Sequence, residues 1–103
     1  MVVFWSPNAK NTLRNIFDYY LDVAGRKVAK KIVEEVRKTA HSLGAMPFMG
    51  VQEEELPVGY RSLVGNKNFK VVYRVNEIKE TVEVVTIFDC RQNPSSLKRG
   101  IAG

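Results

Sequence analysis

The residues of this chain that could do chemistry are mostly cations, and they gather in its second half. Between Gly59 and Gly103 there are eight Lys/Arg against four Asp/Glu. Arg61, Lys70, Arg74 and Arg91 lie within or directly after stretches rich in Val, Ile, Tyr and Phe, not in polar loops. A strand holds its side chains in fixed directions, and its period of two puts Lys70 and Arg74 on one face. If the registers agree, Arg61 and Arg91 join them in a cationic patch on the sheet face away from the helices. Such a patch suits phosphate binding, or stabilisation of the charge on a phosphorane-like species. The same spacing also fits a solvated outer face laced with cross-strand ion pairs, to Glu83 for instance.

The other candidates are thinner. His41 falls in the last turn of an expected helix, where a cation favours the helix dipole. Cys90 closes a strand with no histidine near in sequence to activate it, and reads as a small strand-end residue. Glu53-Glu54-Glu55 sits between loop residues and reads as a solvated run, not a metal site. Gly-rich phosphate loops, HExxH, GxSxG and CxxC are absent. A single cysteine and a single histidine leave no internal disulfide and no His-rich metal site, so no cofactor is expected.

The elements that must hold these residues can be read from periodicity. With 103 residues, the chain is expected to form one domain over 1–103, with 98–103 a frayed tail. Sixteen Lys/Arg against eleven Asp/Glu give a net charge of +5 and a pI near 9.5, which suits an acidic partner. No apolar run approaches the ~20 residues of a membrane span. The opening Met1–Pro7 stretch lacks a signal peptide's charged and apolar regions, so the cytoplasm is the expected compartment.

Val2–Trp5 reads as a short strand, and Ser6-Pro7 as a helix start, with serine at the N-cap and proline first inside. Leu13, Ile16, Phe17, Tyr20 and Leu21 then recur on one helical stripe. Gly25 interrupts it, and Ala29, Ile32, Val33, Val36, Ala40 and Leu43 mark a second helix. Residues 45–58 lose all periodicity and read as loop. Tyr60–Val64, Phe69–Val75 and Thr81–Phe88 are strands joined by hairpin connections. The order β-α-α-β-β-β predicts an α+β domain, a helical hairpin packed on a small antiparallel sheet. The helices should pack on Phe69, Val71, Tyr73 and Val75 of one strand and on Val82, Val84 and Phe88 of the next.

Taken in order, several segments resemble the RelE/ParE superfamily of type II toxin–antitoxin modules. They are Phe4-Trp5-Ser6-Pro7-Asn8-Ala9; Leu43 to Pro47 with Gly50 behind it; Gly59-Tyr60-Arg61-Ser62-Leu63; Phe69 to Val75; and Val84 to Pro94. The resemblance covers about residues 2–97 and implies the same hairpin-on-sheet fold. It also implies a growth-inhibiting, plasmid-stabilising toxin held in a hetero-oligomer by a cognate antitoxin.

RelE-like members cut ribosome-bound messenger RNA, and by position Arg61, Lys70 and Arg91 would be the catalytic cations of such a site. The family's second lysine falls on Leu63 and its C-terminal tyrosine on Leu97. ParE-like members instead inhibit DNA gyrase without a nuclease site, and these losses fit that branch better. On either branch Arg61, Lys70, Arg74 and Arg91 are the expected target- or antitoxin-binding residues. Arg61, Lys70 and Arg91 are expected to converge on one concave side of the sheet.

Overall fold

The computed structural model describes residues 1–90. Strand β1 (Val2–Trp5) leads into helix α1 (Pro7–Ala24) and helix α2 (Arg26–Ser42). Four further strands follow: β2 (Val51–Gln52), β3 (Tyr60–Asn66), β4 (Phe69–Asn76) and β5 (Thr81–Asp89). They form one five-stranded sheet in the order β1-β5-β4-β3-β2. All neighbours are antiparallel except β1, which lies parallel to β5. The expected α+β hairpin-on-sheet architecture is what forms. Val51–Gln52 is a strand that the periodicity did not mark, because two residues carry no period.

The Ser6-Pro7 start behaves as its chemistry requires. The Ser6 hydroxyl accepts from the Ala9 amide at 3.0 Å, capping α1, and donates to the Val85 carbonyl of β5 at 2.8 Å. One side chain thus satisfies a helix end and pins it to the sheet. The hairpin turns at Gly25, whose φ of 90° lies where a residue with a Cβ is strained.

Both helices bury their apolar stripes on one face of the sheet. Leu13, Ile32, Val33 and Val36 join Phe69, Val71, Tyr73, Val82, Val84 and Ile87 in the main core, with Ile16, Phe17 and Tyr20 packed at its margin. Phe88 was expected there and is not. Val72 pairs with Thr86 and Tyr73 with Val84, so Val85 is an extra residue with no partner on β4. This bulge reverses the alternation beyond it. Ile87 turns towards the helices, 4% exposed, and Phe88 turns to the opposite face. There it meets Leu56, Val72 and Tyr60 in a second, smaller core.

The bulge makes a prediction about stability. Ile87→Ala removes a filled position of the main core and should cost ~2–5 kcal/mol in urea unfolding. Val85→Ala, at the unpaired and half-buried position, should cost clearly less, under ~1.5 kcal/mol.

Candidate functional site

The pairing register fixes where each expected site residue points. Arg61 lies opposite Tyr73 and Leu63 opposite Val71, so Arg61 shares the helix-facing side of the sheet. Lys70 lies opposite Val64 on β3 and Phe88 on β5, on the outer side. The expected convergence of Arg61 with Lys70 on one concave face therefore does not occur. Arg74 follows Lys70 by two and shares its face, as expected. Arg91, Leu97 and the tail 98–103 lie outside the described residues.

Arg61 holds a loop in place. Its Nη1 donates to the Gly50 carbonyl at 2.8 Å, and its guanidinium lies 5.1 Å from the centre of the Phe48 ring. From the same peptide segment the Gly50 amide donates to the buried Tyr73 hydroxyl at 2.9 Å. A Cβ at Gly50 would stand 2.6 Å from both the Ser62 carbonyl oxygen and the Tyr73 hydroxyl, so only glycine passes here. Burial raises the Tyr73 phenol above its usual value, which keeps it protonated and available as both acceptor and donor.

On the outer face both cations have carboxylate partners. Lys70 Nζ is 3.0 Å from Glu53 Oε1, with the Glu53 side chain 19% exposed. The Ser62 hydroxyl donates to the same oxygen. The Ser62 hydrogen bond, helped by Lys70 and opposed by burial, holds the Glu53 carboxyl below its usual value. Tyr60, Arg74 and Glu83 form one row across three strands. Arg74 Nε is 2.6 Å from Glu83 Oε1, and its guanidinium is 5.9 Å from the Tyr60 ring centre. The cross-strand pair to Glu83 expected from spacing is present. The outer face is neither a bare cationic patch nor an evenly solvated one.

The remaining candidates stay peripheral. His41 is exposed in the last turn of α2. The Cys90 amide continues the β-ladder to the Asn68 carbonyl at 2.8 Å. Burial of its sulfur, the largest influence, raises the Cys90 thiol, the opposite of what activates a nucleophile. Among the described residues no group of His, Cys, Asp and Glu is placed to hold a metal ion. The sequence placed Tyr73 only in the core and Glu53 in a solvated run, and assigned Gly50 no part in the site. Glu53 is instead partly buried against Lys70 and Ser62. Glu53 could have been found by asking which carboxylates the basic strands need, but a hydrogen bond to a backbone amide leaves no mark in residue types.

Two measurements check this geometry. Arg61→Ala should destabilise the fold by about 1 kcal/mol or more, since it removes a charged hydrogen bond and a ring contact. An ordinary surface charge would cost less. Glu53 has a folded pKa below its unfolded value of about 4.5. Its contribution is therefore present above that pH and is lost as pH falls through the folded value. Melting curves of wild type and Glu53→Gln should differ near neutral pH and draw together as the solution is acidified.

The fold is shared with other proteins. The family model described as the ParE toxin of type II toxin–antitoxin system, parDE, matches residues 3–94. The solved structure of the chromosomal ParDE system from P. aeruginosa is 23% identical with a TM-score of 0.74, covering 86% of this chain and 95% of that one. The RelBE2 complex from Mycobacterium tuberculosis is 16% identical at 0.62, covering 85% and 95%. The YoeB/ParE toxin from Agrobacterium tumefaciens is 17% identical at 0.59, covering 86% and 98%. No curated protein matches the chain. The solved structures share the fold, and the family match runs from β1 through β5 and beyond. The chain belongs to the ParE toxins of type II toxin–antitoxin systems.

Proposed function

We propose that this toxin inhibits growth as ParE-like members do, by binding a target such as DNA gyrase in the cytoplasm. A cognate antitoxin neutralises it in a hetero-oligomer, and the pair serves plasmid stabilisation. The observation that carries this reading is the placement of the cations. A RelE-type ribonuclease needs several of them around one phosphate, yet Arg61 and Lys70 point to opposite faces. Lys70 is also engaged by Glu53. By the resemblance, the family's C-terminal tyrosine falls on Leu97, and its loss removes a proton-transfer group worth typically ~10²–10⁴-fold in rate. Among the described residues the sheet ends in β1 on one side and the two-residue β2 on the other. An antitoxin strand added at such an edge, with a helix laid in an apolar groove, is a recurring recognition mode.

Expression of the chain from a tight promoter should arrest growth, and co-expression of the antitoxin encoded beside it should restore growth. Purified toxin should inhibit gyrase in a supercoiling assay while primer extension finds messages intact after induction. Cuts clustered at codon positions, with gyrase unaffected, would replace this reading by the ribonuclease one. Normal growth with abundant folded protein would leave only antitoxin binding.

A further inference from the structure

The paired cations of the sheet have no equivalent on the helical hairpin. Helix α2 carries Arg26, Lys30 and Arg37 within about 40° around its axis, and Lys27, Lys31 and Lys38 in a second row about 100° further on. All six are exposed. Neither ion pair found among the described residues involves any of them. Glu34 is the one carboxylate between the rows, while Glu35 faces away and accepts a hydrogen bond from Asn66. Across a groove of about 830 Å³ floored by Trp5, Phe17 and Val33, helix α1 adds Lys10 and Arg14.

We infer that this face of the hairpin binds the phosphodiester backbone of a nucleic acid duplex, without regard to sequence. The inference stands apart from the gyrase reading, since it concerns a different ligand. Charge density selects the ligand. From Arg26 to Lys38 the helix advances about 18 Å. One strand of a duplex presents a charge about every 3.4 Å of axis, hence roughly five phosphates over that length against six cations. An acidic amphipathic helix presents about three carboxylates per row over the same length and needs two full rows to match, whereas a duplex carries its charge along every strand whatever its sequence. A lipid surface is a poorer match again. Insertion needs an apolar helix face, and that of α2 (Ala29, Ile32, Val33, Val36, Ala40) is buried in the core.

Fluorescence anisotropy of a labelled 20-bp DNA duplex of arbitrary sequence, titrated with the full chain, tests this directly. Four or more phosphate contacts should weaken binding about 100-fold or more between 50 and 200 mM salt. The double variant Lys30→Glu/Arg37→Glu should bind at least tenfold more weakly at 50 mM salt, with the salt slope reduced by about 2. Lys67→Glu/Lys79→Glu changes the net charge equally but acts on the sheet's hairpin turns, and should stay within about twofold of wild type. Circular dichroism and melting confirm that each variant is folded. Should the first pair unfold, Lys27→Glu/Lys31→Glu takes its place with the same expected direction and the same change in net charge. A 20-bp RNA duplex in parallel shows which backbone is preferred. Absence of duplex binding at 50 mM salt would overturn the inference, as would equal weakening by the two charge-matched pairs. Tighter binding of poly-L-glutamate than of either duplex would also overturn it and mark the face as a site for acidic polypeptides.

Discussion

Between Val71 and Tyr73 the central strand β4 has no solvent-facing side. Three consecutive residues there are fully buried, so both faces of the sheet must be covered at that point, and the two helices can cover only one. The segment after α2 supplies the other cover. It rounds the β3 edge at Gly50 and delivers Leu56 onto Val72 and Phe88. Gly50 can pass because it lacks a Cβ, and it is held there by Arg61 and Tyr73. Once that segment lies over the outer face, Lys70 loses part of its water, and a partly desolvated charge is stable only with partners. Glu53 arrives on the same segment to provide one. The loop chemistry and the neutralised cations are consequences of one doubly covered strand.

The features legible in the sequence are those that repeat. Ser6-Pro7, the apolar stripes of α1 and α2, and the β-branched runs of β3, β4 and β5 each carry a period that side chains alone reveal. What escaped depends on counting across turns. Arg61 and Lys70 do flank a hairpin, but sharing a face requires their partners to have matching parity. Arg61 pairs with Tyr73, three residues on from Lys70 and therefore on the other side. The bulge at Val85 is a second counting event, exchanging Phe88 for Ile87 through one unpaired residue. No residue type announces it, because valine is equally at home in a regular strand. Of the site itself, the Arg74–Glu83 pair was readable from cross-strand chemistry. The Gly50 amide and Glu53 were not, because they come from a segment without periodicity.

Two layers of the same basic chain end with different electrostatic characters. In the sheet, Lys70 and Arg74 are held against carboxylates, so their role there is to fix loop and strand positions. In α2 the helical period sorts apolar residues into the core and leaves cations along the opposite arc. A net charge of +5 thus does not describe a uniformly basic surface. Helix α2 alone carries a net +4, residues 43–90 a net −2, and residues 91–103 a further +3.

The parallel pairing of β1 with β5 sets the order in which the chain folds during synthesis. Ser6 bonds Val85 across 79 residues, and β1 has no other strand partner among the described residues. During synthesis the helical hairpin can form early from local contacts, whereas the β1 edge must wait for β5, the last strand among the described residues, to emerge. Until then α1 lacks its anchor at Val85, and the apolar faces of both helices have no sheet to cover them. A ribosome-bound fragment of this toxin is consequently an exposed, incomplete layer that chaperones or a waiting partner can reach before the finished fold exists. Translation itself delays the moment at which the sheet can close over the hairpin.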